Sequence, residues 1–365
     1  MPSPAIDLRT CARLELPATA DMHVHLRQDG LMRLVVPLLA RGGVDTAFVM
    51  PNLVPPLTSI HQALAYQAQL KAIAPNVHFL MSLFLDACIT PDVIAQASAA
   101  GITGVKMYPQ GVTTNSESGV SDLASFYPTF AAMEQHDMVL NLHGEVLESL
   151  APADATLEEA FLPTLATLHE RFPRLRIVLE HCTTAAAVEA VRACGPTVGA
   201  TITAHHLYLT GDQACDPLAF CKPIPKRPAD RDALARVVVS GDAKFFFGSD
   251  SAPHLLQSKL SAAQGKGKTP AGVFTQPYAT QLVLLGLEEA QSRGVIADAD
   301  VTQESLEGFL SRFGRRFYKL PEVPARRIVL EKKGERIATS MRSDNGEIEV
   351  GVSRAGIEVF SLTWK

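Results

Sequence analysis

Residues 20–27 read ADMHVHLR, an apolar run that ends in two histidines one residue apart. Side chains at positions i and i+2 of a β-strand point to the same face. His23 and His25 are therefore predicted to reach one metal ion together, and Arg27 continues the same alternation. From that position the Arg27 guanidinium would hold an anionic group of a substrate beside the metal. The segment predicts a strand that brings ligands to a site at its C-terminal end.

Seven further apolar runs follow this one, and amphipathic segments separate them. The eight predicted strands are residues 20–25, 46–50, 77–85, 102–108, 138–143, 175–181, 197–203 and 244–249. The predicted helices between them include residues 58–72, 91–100, 123–136, 157–171, 184–193 and 230–240. Regular alternation of strand and helix predicts an α/β fold with a parallel sheet, and eight units over about 250 residues are the size of a (β/α)8 TIM-type barrel. An open doubly wound sheet is the alternative, but no Gly-x-Gly-x-x-Gly motif follows the first strand.

The pattern changes after the eighth strand. Residues 257–269 are polar and rich in Lys, Gly and Ala, which predicts a surface loop. Residues 279–293 and 303–313 predict helices, 326–330 predict a strand, and 347–360 predict a hairpin. We expect residues 1–365 to form a single barrel domain, with additional elements from about residue 320 to 365 packed on it.

Composition and charge narrow the classes of function. Hydrophobic residues make up 47% of the 365 residues and charged residues 19%, which is typical of a globular protein. The formal net charge of -5 gives no general attraction to nucleic acid or to an anionic membrane. We see no membrane-spanning run and no signal peptide. The six cysteines include no Cys-x-x-Cys pair, which is typical of free thiols in a reducing compartment. We therefore expect a cytoplasmic protein that acts on a small molecule.

Four more candidate side chains lie at or near the ends of later predicted strands. Lys106 lies near the end of the fourth strand, His143 and His181 end the fifth and sixth, and Asp250 follows the eighth. In a (β/α)8 barrel these ends share one face, where active sites are found. The imidazoles and the carboxylate suit zinc, and they are more than one catalytic zinc ion takes. Together they predict a site for two metal ions.

Two metal ions about 3.5–4 Å apart need an anionic bridge. Glu180 is adjacent to His181, so a regular strand would turn its side chain to the opposite face. Lys106 is the other candidate, because burial and nearby cations should lower its pKa toward the neutral amine. A neutral amine can react with carbon dioxide to give a carbamate, which offers two oxygens. Without its neighbours, Lys106 would be interpreted as a surface lysine.

Other histidines and cysteines near the predicted site receive structural interpretations. His205 and His206 follow the seventh strand, and at most one of two adjacent strand residues would point inward. Cys182 and Cys221 are interpreted as small buried residues, since a nucleophilic cysteine needs a lowered pKa.

Six motifs occur in the order and approximate spacing of the dihydroorotase family of the amidohydrolase superfamily. They are DMHVHLR at 21–27, MPNL at 50–53, VKMYP at 105–109, HGE at 143–145, EHCTT at 180–184 and GSDSAPH at 248–254. Over about residues 5–320 the chain resembles the shorter, bacterial type II branch of that family. The resemblance implies reversible, zinc-dependent interconversion of N-carbamoyl-L-aspartate and L-dihydroorotate in de novo pyrimidine biosynthesis, and it implies a homodimer.

The resemblance also implies which residues bind two zinc ions in each subunit. The implied ligands are His23, His25, Lys106, His143, His181 and Asp250. Lys106, as N6-carboxylysine, would bridge the two ions together with a hydroxide. His143 and His181 would bind the more exposed ion, and Asp250 would also move the proton during catalysis.

A second group of residues would hold the substrate. Its members are Arg27, Asn52, Thr113, Thr114, Lys222, His254, Ala271 and Gly272. Thr113 and Thr114 belong to a loop over residues 109–119 that would close as a lid. Lys222, Ala271 and Gly272 would contribute backbone groups.

Two other functions remain open at this point. A hydantoinase-like or allantoinase-like enzyme would use the same metal site, although Arg27 suits a carboxylated ring better than an uncharged one. A catalytically inactive barrel that serves a transcarbamoylase partner as a scaffold is the other alternative.

Overall fold

The computed structural model describes residues 4–263, 268–322 and 326–365. The strands in these ranges are β1 Arg13–Pro17, β2 Thr19–Val24, β3 Val44–Val49, β4 His78–Phe84, β5 Gly104–Met107, β6 Val139–His143, β7 Arg176–Glu180, β8 Val198–Ile202, β9 Phe245–Phe247, β10 Arg327–Arg336, β11 Ser340–Arg342, β12 Glu349–Gly351 and β13 Glu358–Trp364. The α-helices are α1 Asp29–Val35, α2 Leu38–Arg41, α3 Ile60–Ile73, α4 Pro91–Ala99, α5 Tyr127–Gln135, α6 Leu157–Arg171, α7 Ala185–Ala193, α8 Pro228–Val239, α9 Leu256–Ala263, α10 Ala279–Ser292, α11 Gln303–Glu307 and α12 Phe313–Phe317.

Strands β2 to β9 form one parallel sheet in chain order. The sheet closes just beyond the last strand, where the Asp250 amide donates to His23 O at 2.8 Å and the His25 amide to Ser251 O at 3.1 Å. The predicted (β/α)8 barrel is confirmed, and each barrel strand lies within two residues of its predicted bounds.

Large apolar side chains fill the inside of the barrel. Met22, Phe48 and Phe246 are fully buried and pack with Tyr318, which enters from the N-terminal end just after α12. These apolar side chains fill the end of the barrel from which Tyr318 enters. The polar residues at the strand ends lie at the opposite end. The outer face of the sheet packs on the helices through a second and larger apolar core.

Side-chain caps explain where several of the surrounding helices begin. The Ser59 hydroxyl accepts from the Gln62 amide and begins α3, and the Thr156 hydroxyl accepts from the Glu159 amide and begins α6. Thr184, the last residue of the EHCTT motif, caps α7 in the same way. The caps fix the turns that connect helices to barrel strands.

After residue 250 the structure differs from the prediction at α9, at the helix predicted over 303–313, and at the predicted hairpin. The predicted surface loop over 257–269 is wrong where α9 forms, and residues 264–267 lie outside the described residues. Lys259 of α9 is buried. Its ammonium donates to Pro217 O at 2.8 Å and to Phe220 O at 3.0 Å, and these hydrogen bonds offset the cost of burying the charge. The helix predicted over 303–313 continues through a π-helical turn, Gly308–Arg312, to Phe317.

The terminal strands also pair differently from the prediction. Residues 347–360 do not form a hairpin, because β12 pairs with β11 and β13 pairs with β10. Arg354 at φ 61° and Gly356 at φ 80° interrupt the alternation between β12 and β13. β10 also pairs with β1, so this antiparallel sheet joins segments from both ends of the sequence. Within the described ranges, no helix combines the length and apolar character that crossing a membrane requires.

Candidate active site

The predicted site residues meet at one pocket over the C-terminal ends of the barrel strands. Its lining consists of His23, His25, Arg27, Asn52, Tyr108, Thr113, Thr114, His143, His181, Lys222, Asp250, Ala252, Ala271 and Gly272. Lys106 lies beneath this lining with its Nζ 5.1 Å from the Tyr108 ring centre. His254 lies beside it, with Nε2 3.2 Å from Arg27 Nη2. All predicted site residues are thus brought together.

His23, His25 and Asp250 form a compact group of buried ligand-type atoms. Asp250 Oδ1 lies 3.3 Å from His23 Nε2 and 3.2 Å from His25 Nε2. One ligand atom from each of the three residues lies within 4.8 Å of the others. Two imidazoles and a carboxylate at this spacing form a donor set that suits zinc or a similar divalent ion.

Backbone turns at the strand ends aim these side chains into the pocket. β2 ends at Val24, so Arg27 does not continue the strand alternation and instead has a left-handed φ of 55°. His181 at φ 42° and Asp250 at φ 43° follow β7 and β9 in the same region of backbone space. Left-handed φ is uncommon for residues other than glycine and is found at functional sites where surrounding structure enforces it. Arg27 therefore reaches the pocket through a turn, and the predicted reason, strand alternation, is wrong.

Glu180 also points into the site, which contradicts its predicted opposite orientation. It is the last residue of β7, and the left-handed turn at His181 breaks the alternation between the two neighbours. Glu180 Oε2 lies 2.7 Å from His23 Nδ1, and Oε1 accepts from Asn141 Nδ2 at 2.6 Å. Burial alone would raise the pKa of Glu180, but the His23 imidazole holds it below its usual value. The ionised carboxylate fixes the His23 ring with Nε2 toward Asp250.

Lys106 is fully buried, and its Nζ finds no hydrogen-bond partner among the described residues. Burial lowers the pKa of this amine to about 8, although the carboxylates of Glu180 and Asp250 oppose the change. An isolated buried ammonium is unfavourable. The surroundings therefore favour a neutral amine, or an amine that carries an additional group with its own partners.

His143 and His181 lie on the other side of the pocket, with ring centres 4.8 Å apart. His143 Nε2 is 2.9 Å from Glu145 Oε2, whereas His181 Nδ1 has no partner in the part of the chain that the structure describes. Burial lowers the pKa of both imidazoles, that of His181 well below its usual value. Neutral imidazole is the form that binds metal. His181 also lies next to the group of His23, His25 and Asp250, since the His23 and His181 ring centres are 5.1 Å apart.

Arg27 and its neighbours form a polar edge beside the ligand group. Arg27 Nε donates to Pro253 O at 3.0 Å. His254 Nε2 lies 2.9 Å from Ala271 O, and Asn52 Oδ1 lies 2.8 Å from His25 Nδ1. Burial lowers the pKa of the Arg27 guanidinium, which nevertheless stays charged at neutral pH. A partly buried guanidinium of this kind favours an anionic partner.

The loop that carries Thr113 and Thr114 lies across the pocket. Thr114 Oγ1 donates to Ala271 O at 3.3 Å, and Asn52 Nδ2 donates to Thr114 O at 3.1 Å. Lys222 Nζ donates to Val112 O at 2.6 Å, a side-chain contact that sequence reasoning, which assigned Lys222 only a backbone role, did not foresee. Gly272 allows a close approach here, because a Cβ at this position would lie 2.6 Å from Ala252 O.

Several residues of the site were missed from sequence. Tyr108 and Ala252 line the pocket, and Tyr318 hydrogen-bonds Asn141 Nδ2 at 2.6 Å. Asp21 Oδ1 accepts from the amides of His23 and Ser249 at 3.1 and 2.7 Å and so ties the first barrel strand to the last. The signal for Asp21 and Asn141 was present, since each is a polar residue two positions before a candidate histidine ligand on the same strand. Nothing in the sequence singled out Tyr318, whose contacts are long-range.

Comparison with known proteins identifies relatives of this chain. An amidohydrolase family model matches residues 61–267. A probable dihydroorotase from Schizosaccharomyces pombe is 50% identical over 335 residues, which cover 91% of this chain and 94% of that protein.

Two solved structures agree with this finding. Dihydroorotase from Saccharomyces cerevisiae, in complex with 5-fluoroorotic acid, is 40% identical with a TM-score of 0.88, covering 97% of this chain and 99% of that one. Dihydroorotase from Campylobacter jejuni is 32% identical with a TM-score of 0.81, covering 97% of each chain. Since relatives at these identities match almost the full length, the chain belongs to the dihydroorotase family of the amidohydrolases.

Proposed function

We propose that this protein catalyses the reversible interconversion of N-carbamoyl-L-aspartate and L-dihydroorotate, a cyclic amide hydrolysis and condensation in pyrimidine biosynthesis. The observation that carries the proposal is the meeting of Arg27, Asp250 and the candidate metal ligands at one pocket. The yeast relative was crystallised with 5-fluoroorotic acid, a pyrimidine that bears a carboxylate. A pocket with a partly buried guanidinium beside a metal-type donor set suits that class of substrate.

The donor set supports a centre of two zinc ions. Bound there, the ions would supply hydroxide at neutral pH and polarise the amide carbonyl. We assign His23, His25 and Asp250 to one ion, and His143 and His181 to the other. The unpartnered atoms Lys106 Nζ and His181 Nδ1 support this assignment, because buried polar atoms without partners are rare in folded proteins.

Lys106 supplies the bridge in this proposal. Its neutral amine adds to the carbon of carbon dioxide, forms an N–C bond, and loses a proton to solvent, which leaves an anionic carbamate. The pKa of about 8 makes the neutral amine available near physiological pH. The two carbamate oxygens would then be available to the two ions, and the side chain would no longer end in a buried amine without partners.

Asp250 is the residue that moves the proton. Its Oδ1 is held between the Nε2 atoms of His23 and His25, which fixes the carboxylate at the centre of the pocket. Without bound metal, burial would raise the pKa of Asp250, but hydrogen bonds from these imidazoles hold it well below its usual value, so the carboxyl group is ionised. The carboxylate takes up the proton released during attack on the amide and then delivers it to the departing ring nitrogen.

Arg27, Asn52 and His254 hold the substrate carboxylate, with the guanidinium offering two parallel N–H donors. Backbone groups of Lys222, Ala271 and Gly272 lie close enough to the pocket to meet the ring amide. The loop with Thr113 and Thr114 covers the substrate and excludes water.

The finer placement of the chain follows from the same comparisons. We propose the shorter, type II branch, because the similarity spans nearly all of both the yeast and the Campylobacter enzymes. The fungal relatives, at 50% and 40% identity, do not single out the bacterial members of that branch. We also propose one hydrolase domain, since β1 and β10 join segments from both ends of the chain. The six cysteines are unpaired among the described residues, which supports a cytoplasmic location. A homodimer stays a prediction.

Steady-state rates with L-dihydroorotate, hydantoin and allantoin test this function. We expect a clear preference for dihydroorotate, and Arg27→Met should lower its kcat/KM about 100-fold by removing a charged double hydrogen bond. Arg33→Met, on the exposed face of α1, is the matched control. Faster turnover of the uncharged rings would favour the hydantoinase-like alternative. No turnover of any of the three by metal-replete protein would favour the inactive scaffold.

Lys106→Ala tests the bridge. The variant should lose metal and activity together, and short carboxylic acids should restore part of both by occupying the position of the carbamate. Metal content and rate are measured in the same samples. A variant that keeps its metal and its rate would contradict the bridging role.

A further inference from the structure

A second group of metal-type ligands lies outside the pocket described above. His205 and His206 belong to a short 3₁₀ turn after β8, His205–Leu207, and Cys221 lies in the segment that leads to Lys222. All three side chains are buried, and none of them lines the active-site pocket. We propose that His205, His206 and Cys221 form a separate structural site for one thiophilic divalent ion such as Zn²⁺.

The spacing of the three side chains fits this ion. One ligand atom from each lies within 4.8 Å of the others, and Cys221 Sγ is 3.9 Å from His206 Nε2. With Zn–N of about 2.0–2.1 Å and Zn–S of about 2.3 Å, tetrahedral ligands lie roughly 3.3–3.8 Å apart. Binding of an ion would draw the three ligand atoms closer together by rotation of their side chains. The Cys221 thiol donates to Pro223 O at 3.4 Å, and the bond to the ion would replace this hydrogen bond.

Unpartnered nitrogens are the second observation. Both ring nitrogens of His205 and Nδ1 of His206 lack hydrogen-bond partners within the described part of the chain. A thiol hydrogen bond between Cys221 and His206 would satisfy one remaining nitrogen, but it would leave His205 without any partner. A bound ion accounts for His205, His206 and Cys221 at the same time.

Without a bound ion, the Cys221 thiol keeps its proton. Burial and the Asp250 carboxylate raise the pKa of this thiol, and the Lys259 ammonium offsets only part of the rise. Binding of the ion displaces the thiol proton to solvent and forms the S–metal bond, so that a dication and a thiolate leave one net positive charge. The imidazoles remain neutral because burial lowers the pKa of both.

An ion at this site would stabilise one wall of the catalytic pocket. It ties the turn after β8 to the segment containing Phe220 and Lys222. Phe220 O accepts from the Gly272 amide at 3.0 Å, and Lys222 and Gly272 both line the pocket. An ion at Cys221 would thus hold the backbone of these two residues in place.

Cobalt substitution distinguishes this site from the catalytic centre, whose proposed ligands include no sulfur. Metal-free protein is loaded with Co²⁺, and its near-ultraviolet spectrum is recorded. We expect a thiolate-to-cobalt charge-transfer band in the wild type and in Cys182→Ser, the matched control at another buried cysteine. We expect Cys221→Ser to lose the band. Absence of the band in cobalt-loaded wild type, or its persistence in Cys221→Ser, would overturn the proposal.

Metal content gives a second readout that does not depend on the spectrum. Wild type and Cys182→Ser should retain one more zinc ion per chain than Cys221→Ser and His206→Gln after the same dialysis. Circular dichroism confirms that each variant compared is folded. Equal zinc content in wild type and folded Cys221→Ser would also refute the site.

Discussion

At the N-terminal ends of the barrel strands buried charges are paired within the protein, whereas at the C-terminal ends several buried polar atoms are not. Arg315 is buried beneath β3, where it contacts Asp45 and donates to Ser311 Oγ at 3.1 Å. Arg176, at the start of β7, donates to Asp137 Oδ1 at 2.8 Å and to Phe317 O at 2.6 Å. Within the described residues, none of these side chains leaves a buried atom unpartnered.

The C-terminal end shows the opposite arrangement. Lys106 Nζ and His181 Nδ1 have no partner in the described ranges, and His181 and Asp250 have left-handed backbones. Unpaired groups and backbone strain reduce stability, and they persist where the surrounding fold enforces them. The difference between the two ends teaches that stability and chemistry are divided along the barrel axis, as in other TIM-type barrels.

The largest effect should follow a change at the C-terminal end. We expect Asp250→Asn to lower kcat by about 1,000-fold, because the amide cannot accept and return the proton. Its midpoint of thermal unfolding should stay close to that of the wild type. Turnover, metal content and thermal unfolding are measured on the same preparation. Near-normal turnover would exclude Asp250 as the proton carrier.

The corresponding change at the N-terminal end should reverse this pattern. Asp45→Asn leaves the buried Arg315 without an ionic partner, and we expect it to lower the free energy of unfolding by about 3 kcal/mol. The kcat of the folded variant should change little. Glu322→Gln breaks the exposed pair with Arg316, at 2.8 Å, and should lower the free energy of unfolding much less, because water screens the two charges. Urea titrations compare the two variants, and equal losses would contradict the stabilising role of the buried pair.

A buried carboxyl behind the C-terminal end sharpens the comparison. Glu158 accepts from the Thr183 amide at 2.8 Å and from Thr184 Oγ1 at 2.5 Å, and burial raises its pKa from 4.5 to about 7. Between these values the unfolded chain is ionised while the folded chain holds the proton, so stability falls as pH rises. Relative to Glu158→Gln, the wild type should lose on the order of 2–3 kcal/mol from pH 4.5 to 7.

Urea unfolding at several pH values measures this loss. Glu159→Gln changes the adjacent, half-buried carboxyl and keeps an acceptor for the helix cap, so it serves as the matched control. If the free energy of unfolding changed equally with pH in wild type and in Glu158→Gln over this range, Glu158 would not titrate as the structure indicates.

The smallest effect concerns the loop over the pocket. Lys222→Met removes the contact with Val112 O, and we expect amide hydrogen exchange of residues 110–116 to accelerate about 10-fold, as for the loss of one hydrogen bond. Lys244→Met is matched, because Lys244 donates to Val191 O and Cys194 O, both at 2.6 Å, near the start of β9. That variant should leave exchange in the loop unchanged. Equal exchange in Lys222→Met and wild type would rule out the side-chain contact.

The barrel and the convergence of the candidate ligands at one pocket could be predicted from sequence because both rest on local patterns. Apolar runs of the right length mark the strands, and the candidate ligands lie at or just after the ends of those runs, as His143 does at the end of β6. The orientation of Glu180 could not be predicted, since it depends on the left-handed turn at His181. Helix α9 was missed because the partners of Lys259 are carbonyls about 40 residues away, and such contacts leave no local pattern.

Anomalous diffraction at the zinc edge from crystals of the wild-type protein tests the central claim most directly. Besides the separate peak expected at His205, His206 and Cys221, we predict two peaks about 3.5–4 Å apart over the C-terminal ends of the strands, one beside His23 and His25 and one beside His143 and His181. Density for a carboxylated Lys106 should lie between them. An active dihydroorotase crystal with no metal among these histidines, and an unmodified Lys106, would contradict the account.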